Sequence, residues 1–280
     1  MNLENNIQQL FSTQRETWKL LDDNYNHLSN AKTRLLVWGS DTEVVLHHNT
    51  SRCFTSSTIV DKNSINKRKC SLCAENRLDI QQGIPFLDKY MILCNPFPIL
   101  QNHLTISLHS HVPQLIGKKI VDMLSLAELL PSYIVFYNGE KCGATEPNHF
   151  HFEAGMKTKT LLNSENPLRS CFRIESDTKK DAEEQFYYVF DYLKTNQPEE
   201  NEPMMNIISF MENEQYIIHI FPRKAYRLWQ HSTETEAQLI MNTGALAMAG
   251  EFTIPRKEDF DIINTNDIEA IYTQVSRAII

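Results

Sequence analysis

Residues 148–155 read Asn148-His149-Phe150-His151-Phe152-Glu153-Ala154-Gly155, and their strict alternation has the period of two of a half-buried strand. His149, His151 and Glu153 are therefore expected on one face, with Phe150 and Phe152 entering the core on the other. Three side chains able to bind metal, attack phosphorus or accept a hydrogen bond thus stand in one row. A neutral histidine is a good nucleophile towards phosphorus, and a group beside it can fix its tautomer. An isolated His-x-His is more often a pair of satisfied surface residues, so the flanking sequence decides.

Just upstream, Tyr133 to Tyr137 reads as a buried strand and Asn138 to Asn148 as a loop containing Gly139, Gly143 and Pro147. The loop feeds directly into the histidine strand, where its backbone N–H groups could cradle an anion beside His151. A plain hairpin connection is the equally weighted alternative. Before it, Ile116 to Leu130 has the spacing of an amphipathic helix, with Asp122 on the polar side and Pro131 as its stop. Tyr90 to Cys94 is an apolar strand stopped by Asn95-Pro96-Phe97-Pro98. Asn102 to Ile106 is a second strand, running into Ser107-Leu108-His109-Ser110-His111.

Cys70-Ser71-Leu72-Cys73 places two thiols at the spacing that chelates one tetrahedral Zn²⁺, and a closed site needs two more ligands. A second Cys-x-x-Cys is absent, so the partners must be histidines: His109 or His111, together with His149. A redox role fits less well, because the pair does not sit at a strand-to-helix junction that would depress a thiol pKa.

The chain has 280 residues, 41% hydrophobic and 22% charged, an ordinary globular composition long enough for one large domain or two related halves. Twenty-seven Lys and Arg against 35 Asp and Glu give a net charge of −8, which repels a polyanion and argues against nucleic acid as partner. The start, MNLENNIQQL, has no basic or apolar targeting pattern, and no apolar run is long enough to span a bilayer. A cytoplasmic protein without a membrane partner is expected, and six cysteines do not suggest a secreted disulfide framework.

Residues Ile7 to His27 have helical spacing; Arg34 to Trp38, Glu43 to His48 and Phe54 to Val60 read as short strands. His47 and His48 are structural or surface residues on this reading. Later in the chain, Leu162 to Lys180 is loop-like, Ala182 to Leu193 helical, Met205 to Phe210 and Gln215 to Arg223 strands, and Asp267 to Arg277 a final helix. Arg223, Lys224 and Arg227 are candidate phosphate-neutralising cations, with a solvated strand end as the equal alternative.

The order Cys-x-x-Cys, Asn95 after a strand, a histidine leading into a helix, Val135-Phe136-Tyr137-Asn138, Gly143-Ala144-Thr145 and His149-x-His151-x-Glu153 resembles the nucleotide-binding half of galactose-1-phosphate uridylyltransferase. That enzyme lies in the histidine-triad superfamily, with diadenosine tetraphosphate phosphorylases and GDP-hexose phosphorylases. The C-terminal succession Met205 to Phe210, Gln215 to Arg223, Met241-Asn242-Thr243-Gly244-Ala245 and Gly250-Glu251-Phe252 is similar to GDP-hexose phosphorylases. The likeness covers about Cys70 to Ser276.

It implies an α+β fold, an antiparallel sheet of histidine-triad type with flanking helices and two pseudo-repeated halves. The expected divisions are residues 1–69, a nucleotide-binding half at 70–160 and a C-terminal half at 161–280. It implies His151 as the catalytic nucleophile, with Glu153 beside it. Asn95 and Phe97 would line the ribose and base pocket, while Asn138, Gly143, Ala144, Thr145 and Arg223 would bind phosphates. Structural zinc would be held by Cys70, Cys73, His149 and a histidine preferred at His111, since Pro113 and Leu115 follow it.

The implied activity is nucleotidyl transfer or phosphorolysis of a nucleoside diphosphate sugar, GDP-hexose favoured, through a nucleotidyl-histidine. Phosphate or a sugar phosphate is the second substrate, and relatives pair as homodimers. A nucleotide hydrolase, a dinucleoside polyphosphate phosphorylase and a nucleotide-binding protein that has lost catalysis are the alternatives.

One position departs from the pattern. The transferases and phosphorylases place Gln where this chain has Glu153. An ionised carboxylate about 4 Å from a phosphate oxygen is repelled by roughly 4 kcal/mol at an effective dielectric of about 20. Glu153 is therefore expected to be protonated by its surroundings or offset by a cation.

Overall fold

In a computed structural model, which describes residues 2–38, 42–52, 69–163, 165–225 and 241–279, the expected N-terminal helix is two. Asn2 caps the first, α1 (Leu3–Thr17), by accepting from the Glu4 N–H. Trp18 then takes an extended conformation, φ −119° and ψ 91°, and α2 (Lys19–Ser29) starts anew. The helical repeat runs through this break because Trp18, only 7% exposed, leaves the helix and still packs its indole against the core.

The strands that follow are β1 (Lys32–Trp38), β2 (Thr42–His48), β3 (Gly83–Phe86), β4 (Tyr90–Cys94) and β5 (Leu104–Leu108). Then come α3 (Ile120–Leu129), β6 (Tyr133–Asn138), β7 (His151–Met156), α4 (Lys159–Leu162), β8 (Phe172–Ser176) and α5 (Lys179–Thr195). The chain continues through β9 (Met205–Glu212), β10 (Gln215–Pro222), α6 (Ala245–Met248), β11 (Glu251–Ile254), α7 (Lys257–Ile262) and α8 (Thr265–Val275).

Eight strands form one antiparallel sheet in the order β3-β4-β5-β7-β6-β9-β10-β8, and β1-β2-β11 form a second, smaller sheet. The large sheet repeats a pattern. In β5-α3-β6-β7 the first strand pairs with the last and the last with the middle one; β8-α5-β9-β10 does the same. The two units meet where β6 and β9 pair antiparallel, Val135 opposite Ser209 and Asn138 opposite Asn206. The fold is thus α+β, with antiparallel pairing running unbroken across the sequence boundary at residue 160.

Each face of the large sheet has its own core. Phe150 and Phe152, both fully buried, lie on the face covered by α1, α2, α3 and α5, among Phe11, Leu21, Leu124 and Phe186. On the other face Ile134, Phe136, Ile208 and Phe210 pack with Leu46, Leu246, Phe252 and Ile271. Burying one such large side chain contributes about 1.5–3 kcal/mol, so both layers hold the sheet firmly.

Two expectations are corrected. The stretch Leu162 to Lys180 contains β8, a sheet edge whose alternating Arg173 and Glu175 are exposed while Ile174 is buried. Short, charged strands of this kind protect edges and read as loop in the sequence. Asp122, assigned to the polar side of its helix, is buried, accepting from the Tyr90 hydroxyl at 2.7 Å with Lys89 Nζ at 2.9 Å. The expected strand at Phe54 to Val60 lies outside the described residues, as does Arg227.

Candidate functional site

Between the second face of the large sheet and the smaller sheet lies a cleft of about 520 Å³. Leu93, Thr105, Phe136, Asn138, His151 and Glu153 come from neighbouring strands of the large sheet, and Glu251 and Thr253 from β11. Gly143, Thr145 and Asn242 also line it, as do Trp18 and Phe97. A concave, mostly apolar space with convergent polar groups is the usual form of a small-molecule site.

His151 opens β7 and is 5% exposed. Its Nδ1 lies 2.8 Å from the His149 carbonyl oxygen, which puts the ring proton on Nδ1 and leaves the lone pair on Nε2. Gln114, fully buried, clamps the backbone at this point: its Oε1 accepts from the His151 N–H, and its Nε2 donates to the carbonyls of His151 and Asn138, at 2.8, 2.8 and 3.0 Å. Sequence reasoning passed over Gln114. Its only signal was its place between Pro113 and Leu115, directly after the histidine pair.

Two residues along a strand stand about 7 Å apart, which sets Glu153 on the same face as His151. Its Oε1 is 3.2 Å from Nε2 of His103, and its Oε2 accepts from Asn138 Nδ2 at 3.1 Å. His103 is fully buried and stacks on Phe136 at 5.8 Å between ring centres. Its Nδ1 accepts from the Ile99 N–H at 3.3 Å, so the ring is neutral with its proton on Nε2, facing the carboxylate. Glu153 thus faces the His103 ring and the Asn138 amide, the groups that stand where an offsetting cation or a protonating partner is expected. His103 was missed because it reads as one residue of an ordinary strand entry.

Asn138 is a structural hub. Its Oδ1 accepts from the Ala245 N–H and from Asn206 Nδ2, both at 2.8 Å, so one side-chain N–H remains beyond its bond to Glu153. Arg223, expected among the phosphate ligands, is fully buried and does not line the cleft. Its guanidinium donates to Asn206 Oδ1 and to the carbonyl and hydroxyl oxygens of Thr243. It therefore acts beneath the site, holding Asn206 and through it Asn138. The bidentate geometry of arginine explains why a buried strand end uses it.

Gly143, with φ +100°, approaches the Asn242–Gly244 loop so closely that a Cβ would lie 2.6 Å from Asn242 Oδ1 and 2.8 Å from the Gly244 Cα. Gly143 and Thr145 line the cleft, while Ala144 is buried and does not. Asn95 lines it too, but its side chain is engaged: Oδ1 accepts from the Phe97 N–H at 2.9 Å and Nδ2 donates to Thr105 Oγ1 at 3.0 Å. That closes an Asx turn presenting Pro96 and Phe97.

Cys70, Cys73, His111 and His149 bring four donor atoms within 4.8 Å of one another, a group close enough to bind a metal ion. Cys70 Sγ is 3.3 Å and Cys73 Sγ 3.5 Å from His149 Nδ1, and Cys73 Sγ is 3.0 Å from His111 Nδ1. His149 Nε2 lies 2.8 Å from the Leu108 carbonyl, which leaves the Nδ1 lone pair towards the thiols, as an outer-shell bond does for a metal-bound imidazole. Burial lowers the His149 pKa, keeping that ring neutral, and pushes the Cys70 thiol up to about 11. A bound cation would displace such a proton. Between His109 and His111, His111 joins the group.

No helix among the described residues is long and apolar enough to cross a membrane.

A search of curated protein sequences finds no match. Among solved structures the fold is similar to that of yeast Ap4A phosphorylase Apa2, with TM-score 0.66, 16% identity, 99% of this chain and 98% of that one covered. The same enzyme in complex with AMP aligns with TM-score 0.61 at 12% identity, covering 97% and 96%. Its complex with Ap4A aligns with TM-score 0.56 at 12% identity, covering 93% and 97%. A likeness at such identities establishes the fold alone. The model of one family, described as a domain of unknown function, matches residues 10–156, and the chain belongs to that family, DUF4922.

Proposed function

We propose that this protein is a nucleotidyltransferase that moves a nucleoside monophosphate from a nucleoside diphosphate sugar, GDP-hexose foremost, through a covalent adduct on His151. One observation carries this reading: the His151 ring lines a 520 Å³ cleft and is tethered through Nδ1 to a carbonyl 2.8 Å away, the tautomer that leaves the Nε2 lone pair for phosphorus. Nε2 attacks the α-phosphorus, the phosphoanhydride bond breaks and the sugar phosphate departs with the electron pair. The Gly143 turn and the remaining Asn138 N–H would meet charge on the phosphoryl oxygens. Phe97 and Trp18 supply apolar surface for the base. A sugar phosphate is already a good leaving group, so positioning and charge stabilisation supply most of the acceleration.

Cys70, Cys73, His111 and His149 would hold a structural Zn²⁺: two thiolates and two imidazoles fill a tetrahedral shell and leave no position for substrate. Bound there, zinc would fix the backbone of His149, whose carbonyl orients His151.

A second reading, phosphorolysis of a dinucleoside polyphosphate, draws support from the end-to-end fold match to an Ap4A phosphorylase. The test is intact mass after mixing with GDP-glucose or Ap4A. A guanylyl or adenylyl shift, lost in His151→Ala, identifies the donor. Absence of any shift, with no release of sugar phosphate, overturns the proposal.

A further inference from the structure

The carboxylate at position 153 is built into the cleft. Glu153 is 17% exposed, with His103 Nε2 3.2 Å from one oxygen and Asn138 Nδ2 donating to the other at 3.1 Å. His103 is itself oriented by the Ile99 N–H, and Asn138 by Ala245 and Asn206. Charge-assisted bonds of this kind suit an ionised carboxylate and fix its direction. An amide at this place would offer an N–H to phosphoryl oxygens; a carboxylate offers only lone pairs. It repels an anionic acceptor and attracts a hydroxyl.

We infer that, in the second half-reaction of the proposed His151 chemistry, the acceptor is water and Glu153 is its general base, with His103 as the residue that positions the carboxylate. Water placed between Glu153 and the adduct gives one proton to the carboxylate as its oxygen bonds to phosphorus. The phosphorus–Nε2 bond breaks, and its electron pair returns to Nε2 of the neutral, Nδ1-protonated ring. A nucleoside monophosphate leaves, and Glu153 passes its proton to solvent. The inference rests on His151 forming the adduct, and it adds what removes the nucleotide.

Product identity separates the acceptors, since water yields GMP from a GDP-sugar and phosphate yields GDP. Wild-type protein with GDP-glucose, or with Ap4A if that is the donor, should release the monophosphate with or without added phosphate. In Glu153→Gln the adduct should still form but persist, with monophosphate release slowed about 100-fold or more and the diphosphate share rising when phosphate is added. His103→Gln should shift the product ratio the same way, a change that mere loss of stability would not cause. Glu153→Asp, which keeps a carboxylate, should retain the monophosphate as main product. If wild type clears its adduct only when phosphate is present, or Glu153→Gln releases monophosphate at the wild-type rate, the inference falls while the His151 adduct stands. If no variant forms an adduct, both fall.

Discussion

The two strand–helix–strand–strand units of the large sheet share their pairing order and differ in one connection. Residues 139–150 link β6 to β7, whereas Asn213 and Glu214 alone link β9 to β10. The long link carries the glycine turn and reaches the metal-type cluster; the short one closes a hairpin with both residues at positive φ, the geometry of a type I′ turn. A histidine occurs on the last strand of each unit. His151, at the start of β7, faces the cleft. His219, in the middle of β10, is fully buried against Phe210 at 5.4 Å between ring centres. The scaffold is common to both units, and the loop decides which one carries a site.

The largest test of this contrast removes the cluster that only the first unit has. Cys73→Ser, or a chelator, is expected to abolish a stoichiometric metal and lower Tm on the order of 10 °C. Hydrogen exchange should rise around residues 70–82 and 107–113 and stay low in β9 and β10. Equal loosening of both units would erase the distinction. The next effect belongs to the second unit. Burial, then the nearby Arg173 and Arg169, pushes the His219 imidazole down to about 3 from 6.5. A lowered histidine pKa means that protons bind the unfolded chain first. Its contribution is unchanged above about pH 6.5, and stability falls as pH drops from there towards 3, by about 1.4 kcal/mol per pH unit. His219→Gln should flatten that part of the urea-denaturation profile against pH, and an unaltered slope would place its origin elsewhere.

How much of this was legible beforehand depended on whether a signal was periodic or three-dimensional. The alternation around His151 and Phe152, the Cys70/Cys73 spacing and the apolar runs of β4, β6, β9 and β10 are local patterns, and the folded chain has those strands. Trp18 shows the limit: a helix break costs one residue of phase, and the apolar repeat hides it. Arg223 shows another, because a cation beside a strand end looks the same whether it meets phosphate or Asn206. His103 and Gln114 were invisible for a related reason. Each acts between segments far apart in the chain, His103 from just before β5, the strand that pairs directly with the strand of Glu153 fifty residues later in sequence, and no spacing rule links such pairs.

The smallest effects come from the two turns themselves, with opposite signs. At Gly143 a methyl group meets Asn242 and the Gly244 backbone, and φ +100° disfavours any side chain, so Gly143→Ala is expected to cost about 1–3 kcal/mol and to weaken nucleotide binding measured by calorimetry. At Glu214, φ 65° already strains a non-glycine residue. Glu214→Gly relieves that strain, worth about 1–2 kcal/mol, against roughly 0.5–1 kcal/mol of added freedom in the unfolded chain. The net expectation is a gain of about 0.5–1 kcal/mol in urea denaturation with no change in nucleotide affinity, because neither residue of this turn lines the cleft. Lost affinity in Glu214→Gly would mean that the second hairpin communicates with the first, and the division between scaffold and site would have to be redrawn.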